Sequence, residues 1–186
     1  MNSLIDQPQF RSWLQWINKN EWASIAFAGT TKGMTNGQRN SLKDIFTAVL
    51  DNVEKWQFHH EDFPGADVEA HYMALGMKPP AVVVGHPVVL DFRARDTVGF
   101  SVEREIQPKD FRYAEMVNES HLLIIAPSST SKKNFDLLKT YAQRAKIGCI
   151  ELPVEERPLS LRQRQQAVEQ FWKEHPNQQV PKIWKS

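Results

Sequence analysis

The sequence has little cysteine, little net charge and no long apolar run. Cys149 is the one cysteine among 186 residues, so no internal disulfide is available, a usage that suits a reducing, cytoplasmic compartment. Lys and Arg (23) nearly cancel Asp and Glu (22), leaving a net charge of +1 and no global field to collect nucleic acid or an anionic membrane. No apolar stretch approaches the roughly 20 residues of a membrane span, so no membrane partner is expected. Residues 1–6 lack the basic and apolar regions of a signal peptide. There is no internal repeat and no heptad array. What is present is a 41% hydrophobic fraction, enough for a sizeable core, in a length that suits one domain spanning 1–186 with terminal additions.

Periodicity predicts the elements. Residues 8–20 read as an amphipathic helix, with Phe10, Trp13, Leu14 and Ile17 at i, i+3, i+4 and i+7. Residues 24–28 (SIAFA) read as a buried first strand, followed by a helix through Leu42, Ile45, Phe46 and Val49, with Thr35 as N-cap and Gln38 completing a capping box. Further strands are expected at 56–60 (WQFHH), 81–84, 122–126 (LLIIA) and 148–152 (GCIEL), with helices beginning at Asp67 and Phe111 and passing through Leu137 and Tyr141. Residues 91–108 lack periodicity and read as a long excursion, and residues 160–173 read as a basic C-terminal helix. Five strands alternating with helices predict an α/β fold: a Rossmann-like, mainly parallel sheet with helices on both faces and a core over about 24–152. Such sheets bind ligands outside the carboxyl ends of their strands, near a topological switch point.

Four turns at those ends carry candidate chemistry. In GTTKGMTNGQ, Gly29 leaves the strand, Gly33 permits a path that a side chain would block, and Thr30, Thr31 and Lys32 offer donors and charge. The helix after Thr35 presents free N–H groups, a ready anion site; the alternative is an ordinary strand-to-helix turn. In HHEDFPGAD, Gly65 and Ala66 allow close backbone approach, and Asp67 is either the N-cap of the next helix or an acceptor for ribose or base. His59, His60, Glu61 and Asp62 hint at a metal, but adjacent strand residues face opposite sides, so no metal site is expected; His71 is placed to join one histidine. His86 leaves the third strand beside Pro87, with Arg93 and Arg95 beyond, and reads as structural or as ligand-facing. Small residues from Ala126 to Thr130, including Ser128, keep the crevice open or form a solvated loop. Cys149, inside a strand, reads as inert core, and no nucleophile elbow is present.

The order of four segments, IAFAGTTKGMTNGQ (25–38), FHHEDFPGADVEAH (58–71), GHPV (85–88) and FRYAEMVNESHLLIIAPSS (111–129), resembles the SLOG superfamily of Rossmann-like nucleotide-binding domains, and within it the YspA-like branch. The resemblance covers about residues 24–152. It implies a pocket built from Gly29, Thr30, Gly33, Met34, Gly65, Ala66, Asp67, His86, Pro87, Ala126 and Pro127. It also implies a nucleotide, NAD-like or cyclic-nucleotide ligand; no required cofactor is expected. Some SLOG relatives sense ADP-ribose-type signals in antiphage defence, while the LOG enzymes cleave the N-glycosidic bond of nucleoside monophosphates. Glu61 stands where relatives often carry glycine, Arg112-Tyr113 replaces an Arg-Asn pair, and the late Gly-Thr segment and the PGGxGTxxE motif are absent. These departures weaken an enzymatic reading more than a binding one.

The expected function is therefore a nucleotide-signal sensor or sequestering protein. The alternative is a nucleotide N-glycosidase or transferase, with Asp67 or Glu61 as catalytic carboxylate and His60 or His86 handling protons. A third reading, a single-stranded nucleic-acid adaptor like DprA, draws on Arg162, Arg164, Lys173, Lys182 and Lys185, against the balanced overall charge. Trp13, Trp16, Trp172 and Trp184 point to a homo-oligomer if exposed and to a larger core if buried.

Overall fold

The apolar runs become strands of a single sheet. A computed structural model describes residue 4 and residues 8–87, 100–105, 108–128 and 135–154. Its strands are β1 (Trp22–Gly29), β2 (Lys55–His60), β3 (Val82–Gly85), β4 (Val102–Glu103), β5 (Leu122–Ala126) and β6 (Gly148–Glu151). Its helices are α1 (Pro8–Asn20), α2 (Asn36–Leu50), α3 (Ala66–Gly76), α4 (Lys109–Asn118) and α5 (Asp136–Ala145). The strands are all parallel, in the order β4-β3-β2-β1-β5-β6. The fold is Rossmann-like α/β, and strand order reverses between β1 and β5, which makes that junction the topological switch point.

Strand alternation divides the core into two layers. Ile25 and Phe27 of β1 join Phe58, Leu42 and Phe46 on the face covered by α2 and α3, where α1 adds Phe10, Trp13 and Ile17. Ala26 and Ala28 face the other way, onto Met116 and Val117 of α4 and Leu138 and Ala142 of α5. Trp13 is thus core, whereas Trp16 and Trp22 stay partly exposed with their rings edge-on to His121. At the start of α2 the expected capping box forms: Gln38 N–H donates to Thr35 Oγ1 at 3.1 Å, and Thr35 N–H donates to Gln38 Oε1 at 3.0 Å.

Two local expectations are corrected. The stretch 91–108 holds a sixth strand, β4, whose two residues are too few to show a period. It is held to β3 by the Ser101 N–H on Val83 O and the Arg104 N–H on Gly85 O, both at 2.9 Å, with the Phe100 ring laid against Gly85. Asp67 is not an N-cap. Gly65 takes that position, and Asp67 lies inside the first turn of α3 with its carboxylate drawn elsewhere.

The sheet and its helices lie within a compact unit, Met1–Val154; Glu155–Ser186 make a second unit. The expected helix at 160–173, its basic residues, Trp172 and Trp184, and also Arg93, Arg95, Ser129 and Thr130, lie outside the described residues. Among the described residues no helix is long and apolar enough to cross a membrane.

Candidate functional site

Three turns meet at one rim of the sheet. Gly29 pairs with Ala126 across β1 and β5. Gly65, at φ 93°, packs so closely that a Cβ would lie 2.6 Å from Thr30 O and from the Thr31 backbone. Ala66 sits directly against Gly29 and donates its N–H to Thr30 O at 3.0 Å. The small residues of the second turn therefore serve contact with the first turn; the close approach expected for a ligand is made by protein backbone.

Above this junction is a cavity of about 340 Å³, within the ~300–1,000 Å³ range of small-molecule sites. Gly29, Thr30, Thr31 and Lys32 of the first turn line it, with Glu61 and Phe63 of the second. Lys109 and Tyr113 reach it from α4, and Ser128 and Phe135 complete the wall. Lys109 and Tyr113 are one helical turn apart, and the Lys109 ammonium lies 5.1 Å from the Tyr113 ring centroid.

Two acids govern the electrostatics. Asp67 is buried and accepts from Gly29 N–H at 2.9 Å through Oδ1 and from Phe63 N–H at 3.3 Å through Oδ2, tying the turns after β1 and β2 together. Burial raises its pKa to about 7 against the lowering effect of those amides. Glu61 lines the cavity, and burial followed by the Asp67 charge pushes its carboxyl well above the usual range. Its Oε1 is buried without a hydrogen-bond partner. Amide donors offset part of the burial at Asp67, whereas Glu61 Oε1 has no such donor, so of the two carboxyls Glu61 is the one with less to stabilise its charge.

Other expected site residues lie away from the cavity. Gly33, at φ 82°, and Met34 turn toward α3: Glu69 accepts from Met34 N–H at 3.2 Å and is clamped by Arg39 at 2.9 and 3.1 Å. The capping box engages Gln38 N–H, one of the amides expected to grip an anion at the start of α2. The Met34 side chain is core. Ala126 and Pro87 are buried, and Pro127 O accepts from Gln38 Nε2 at 2.8 Å.

The histidines divide across the sheet, as their adjacency in β2 requires. His60 stacks on Phe100 and meets His71 of α3, with 2.9 Å between Nε2 and Nδ1. On the α4 side His59 Nδ1 and His86 Nε2 are also 2.9 Å apart. Glu115 of α4 and Glu119 at its C-cap approach this second pair: Glu115 Oε2 lies 3.3 Å from His86 Nδ1, and Glu119 Oε2 lies 3.7 Å from His59 Nδ1. Burial and neighbouring positive groups push His59 and His86 down to about 3, and burial takes His60 well below its usual range. Neither His60 nor His86 lines the cavity.

No family model matches the chain, and no curated protein matches it.

Sequence reasoning missed everything that α4 contributes, namely Lys109 and Tyr113 in the cavity and Glu115 and Glu119 beside the histidines. Each pair has the i, i+4 spacing of one helix side, a signal visible in the sequence but silent about what that side meets.

Proposed function

We propose that the protein binds a nucleotide-type ligand in the rim cavity, as a sensor or sequestering protein of the SLOG kind. The observation that carries this reading is the cavity's place and lining: it opens at the β1–β5 switch point and joins two lysines to aromatic rings. Lys32 and Lys109 supply charge for phosphate, and the Thr31 hydroxyl supplies a donor. Phe63, Tyr113 and Phe135 supply apolar faces for a base. A protonated Glu61 carboxyl offers a donor and an acceptor to a base edge or sugar hydroxyl.

Native mass spectrometry of protein purified from cells, followed by calorimetry with ADP-ribose, NAD and cyclic nucleotides, tests it. One of these is expected to bind, and Lys109→Ala to weaken it about tenfold, the loss of one charge-assisted contact. Absence of binding by every nucleotide offered, with no co-purifying mass, would sink the reading.

One observation favours a second, enzymatic reading: Glu61 is buried in the cavity wall with its carboxyl pushed well above the usual range, a direction that suits a general acid toward a ligand there. Asp67, its oxygens held by backbone amides, would position that acid's surroundings. Release of free base from a bound nucleotide, lost in Glu61→Gln with binding retained, supports turnover; unchanged nucleotide at high protein concentration excludes it.

A further inference from the structure

Away from the cavity, His59, His86 and Glu119 bring their ligand atoms within 4.8 Å of one another, and the hydrogen bonds around them do not close. His86 Nδ1 faces Glu115 Oε2 at 3.3 Å. A carboxylate only accepts, so a neutral His86 carries its proton on Nδ1 and a lone pair on Nε2. His59 Nε2 faces Gln57 Oε1 at 3.4 Å, another acceptor, which places the proton on Nε2 and a lone pair on Nδ1. The two lone-pair nitrogens then oppose each other at 2.9 Å. The third atom is Glu119 Oε2, buried and without a hydrogen-bond partner, while Arg104 occupies Oε1 at 2.7 Å. Three acceptors thus converge with no donor among them, and a cation between them resolves the conflict.

The dimensions suit a metal ion. Atoms separated by 2.9, 3.7 and 3.9 Å lie on a circle of radius about 2.1 Å, against typical zinc distances of ~2.0–2.1 Å to histidine nitrogen and ~2.0–2.2 Å to carboxylate oxygen. The outer partners also suit one, since a ligating histidine commonly donates its other N–H to a carboxylate or carbonyl oxygen, as Glu115 and Gln57 accept here. The guanidinium charges of Arg104 and Arg112 oppose a dication, and the carboxylates of Glu115 and Glu119 offset it.

We propose that His59 Nδ1, His86 Nε2 and Glu119 Oε2 coordinate a divalent transition-metal ion of the zinc type, oriented by Glu115 and Gln57. Two imidazoles select against magnesium and calcium, which prefer oxygen. Three protein ligands leave a further position to water or an added ligand, which reaches the ion on the side of Glu119, the one partly exposed member. The site is independent of the rim cavity and stands or falls without it.

The test is a Zn²⁺ titration of the full chain, stripped of metal by chelator, against a chromophoric competitor. One zinc per chain is expected, with an X-ray absorption first shell of nitrogen and oxygen at about 2.0 Å and no sulfur. Glu119→Gln, at a partly exposed helix end, keeps the fold by circular dichroism and lowers affinity about tenfold or more. Glu115→Gln lowers it about 10–100-fold through the ring orientation. His71→Ala, on the opposite face, leaves it unchanged. The proposal is overturned if the wild-type chain takes up no stoichiometric zinc, or if folded Glu119→Gln binds as well as wild type. A proton found by ¹⁵N NMR to bridge His59 and His86 in excess zinc overturns it equally.

Discussion

Two pairs of histidines flank β2, each with 2.9 Å between facing ring nitrogens. On the α3 side the chain of donors closes. Asp62 N–H donates to His60 Nδ1 at 3.1 Å, so His60 carries its proton on Nε2 and gives it to His71 Nδ1. On the α4 side both outer nitrogens face acceptors, and the inner ones meet without a proton between them. The same distance describes a finished hydrogen bond in one place and an unfinished coordination shell in the other. What separates them is a shell of partners one bond further out, a backbone N–H in the first case and the oxygens of Gln57 and Glu115 in the second.

The sharpest way to break this comparison is to delete one ring from each pair. His60→Ala is expected to cost about 3–4 kcal/mol, because it opens space beside Phe100 and strands the buried Asp62 N–H. His59→Ala, measured without metal, is expected to cost about 2 kcal/mol less, since it also removes a lone-pair conflict. Urea unfolding of both variants in chelator gives the difference. Equal losses would mean that the α4-side pair is as well satisfied as its counterpart.

Acid sharpens it next. The folded state holds His60 well below 6.5, its ordinary value. Below pH 6.5 the unfolded chain therefore binds a proton that the folded chain refuses, and stability present above 6.5 is lost as pH falls, by at most about 1.4 kcal/mol per pH unit for one imidazole. His60→Gln keeps an acceptor for Asp62 N–H and does not titrate, so unfolding measured from pH 7 to 4 is expected to show a shallower fall than wild type. An unchanged slope would show that His60 takes up its proton in the folded chain.

Asp67 supplies the opposite sign. Its carboxyl is raised from 3.8 to about 7, so its contribution is present below 3.8 and is lost as pH rises through 7. Asp67→Asn removes the buried charge but turns one amide-accepting oxygen into a donor. It is expected to be less stable than wild type at pH 5 by about 1–2 kcal/mol and to close that gap by pH 8. A gap independent of pH would mean that Asp67 stays ionised throughout.

These contrasts also mark what was legible in the chain. The run LLIIA falls on β5 residue for residue, the spacing of Phe10, Trp13 and Ile17 gives the buried side of α1, and Thr35 with Gln38 gives the cap of α2. Each of these signals is local, because a helix or strand is recognised by its own period. The opposite facing of His59 and His60 was legible for the same reason. What was not legible depends on contacts across the chain. Asp67 carries a local N-cap signature, but Gly29 N–H, from another strand, claims its carboxylate. β4 has no period to read, only β3 to lie against. The adjacency rule excluded an ion shared by neighbours in β2, and it is silent about His86 and Glu119, which arrive from β3 and α4.

The smallest effect expected is the most selective one. Gln57 is partly exposed, and its amide oxygen is the acceptor that fixes His59 with a bare Nδ1. Gln57→Ala removes little packing and no ionised group, so stability is expected to change by about 0.5 kcal/mol or less. It does release His59 to place its proton on Nδ1 and donate it to His86 Nε2. The α4-side pair then becomes a closed hydrogen bond like the one between His60 and His71, and zinc has to displace that proton. Affinity is expected to fall about tenfold, the cost of returning the His59 proton from Nδ1 to Nε2, and because that tautomer shift releases no proton the pH dependence is expected to stay that of wild type; a zinc titration at two pH values reads both. If Gln57→Ala binds zinc as wild type does at each pH, the outer oxygen does not set the tautomer, and the difference between the two pairs lies in Glu119 alone.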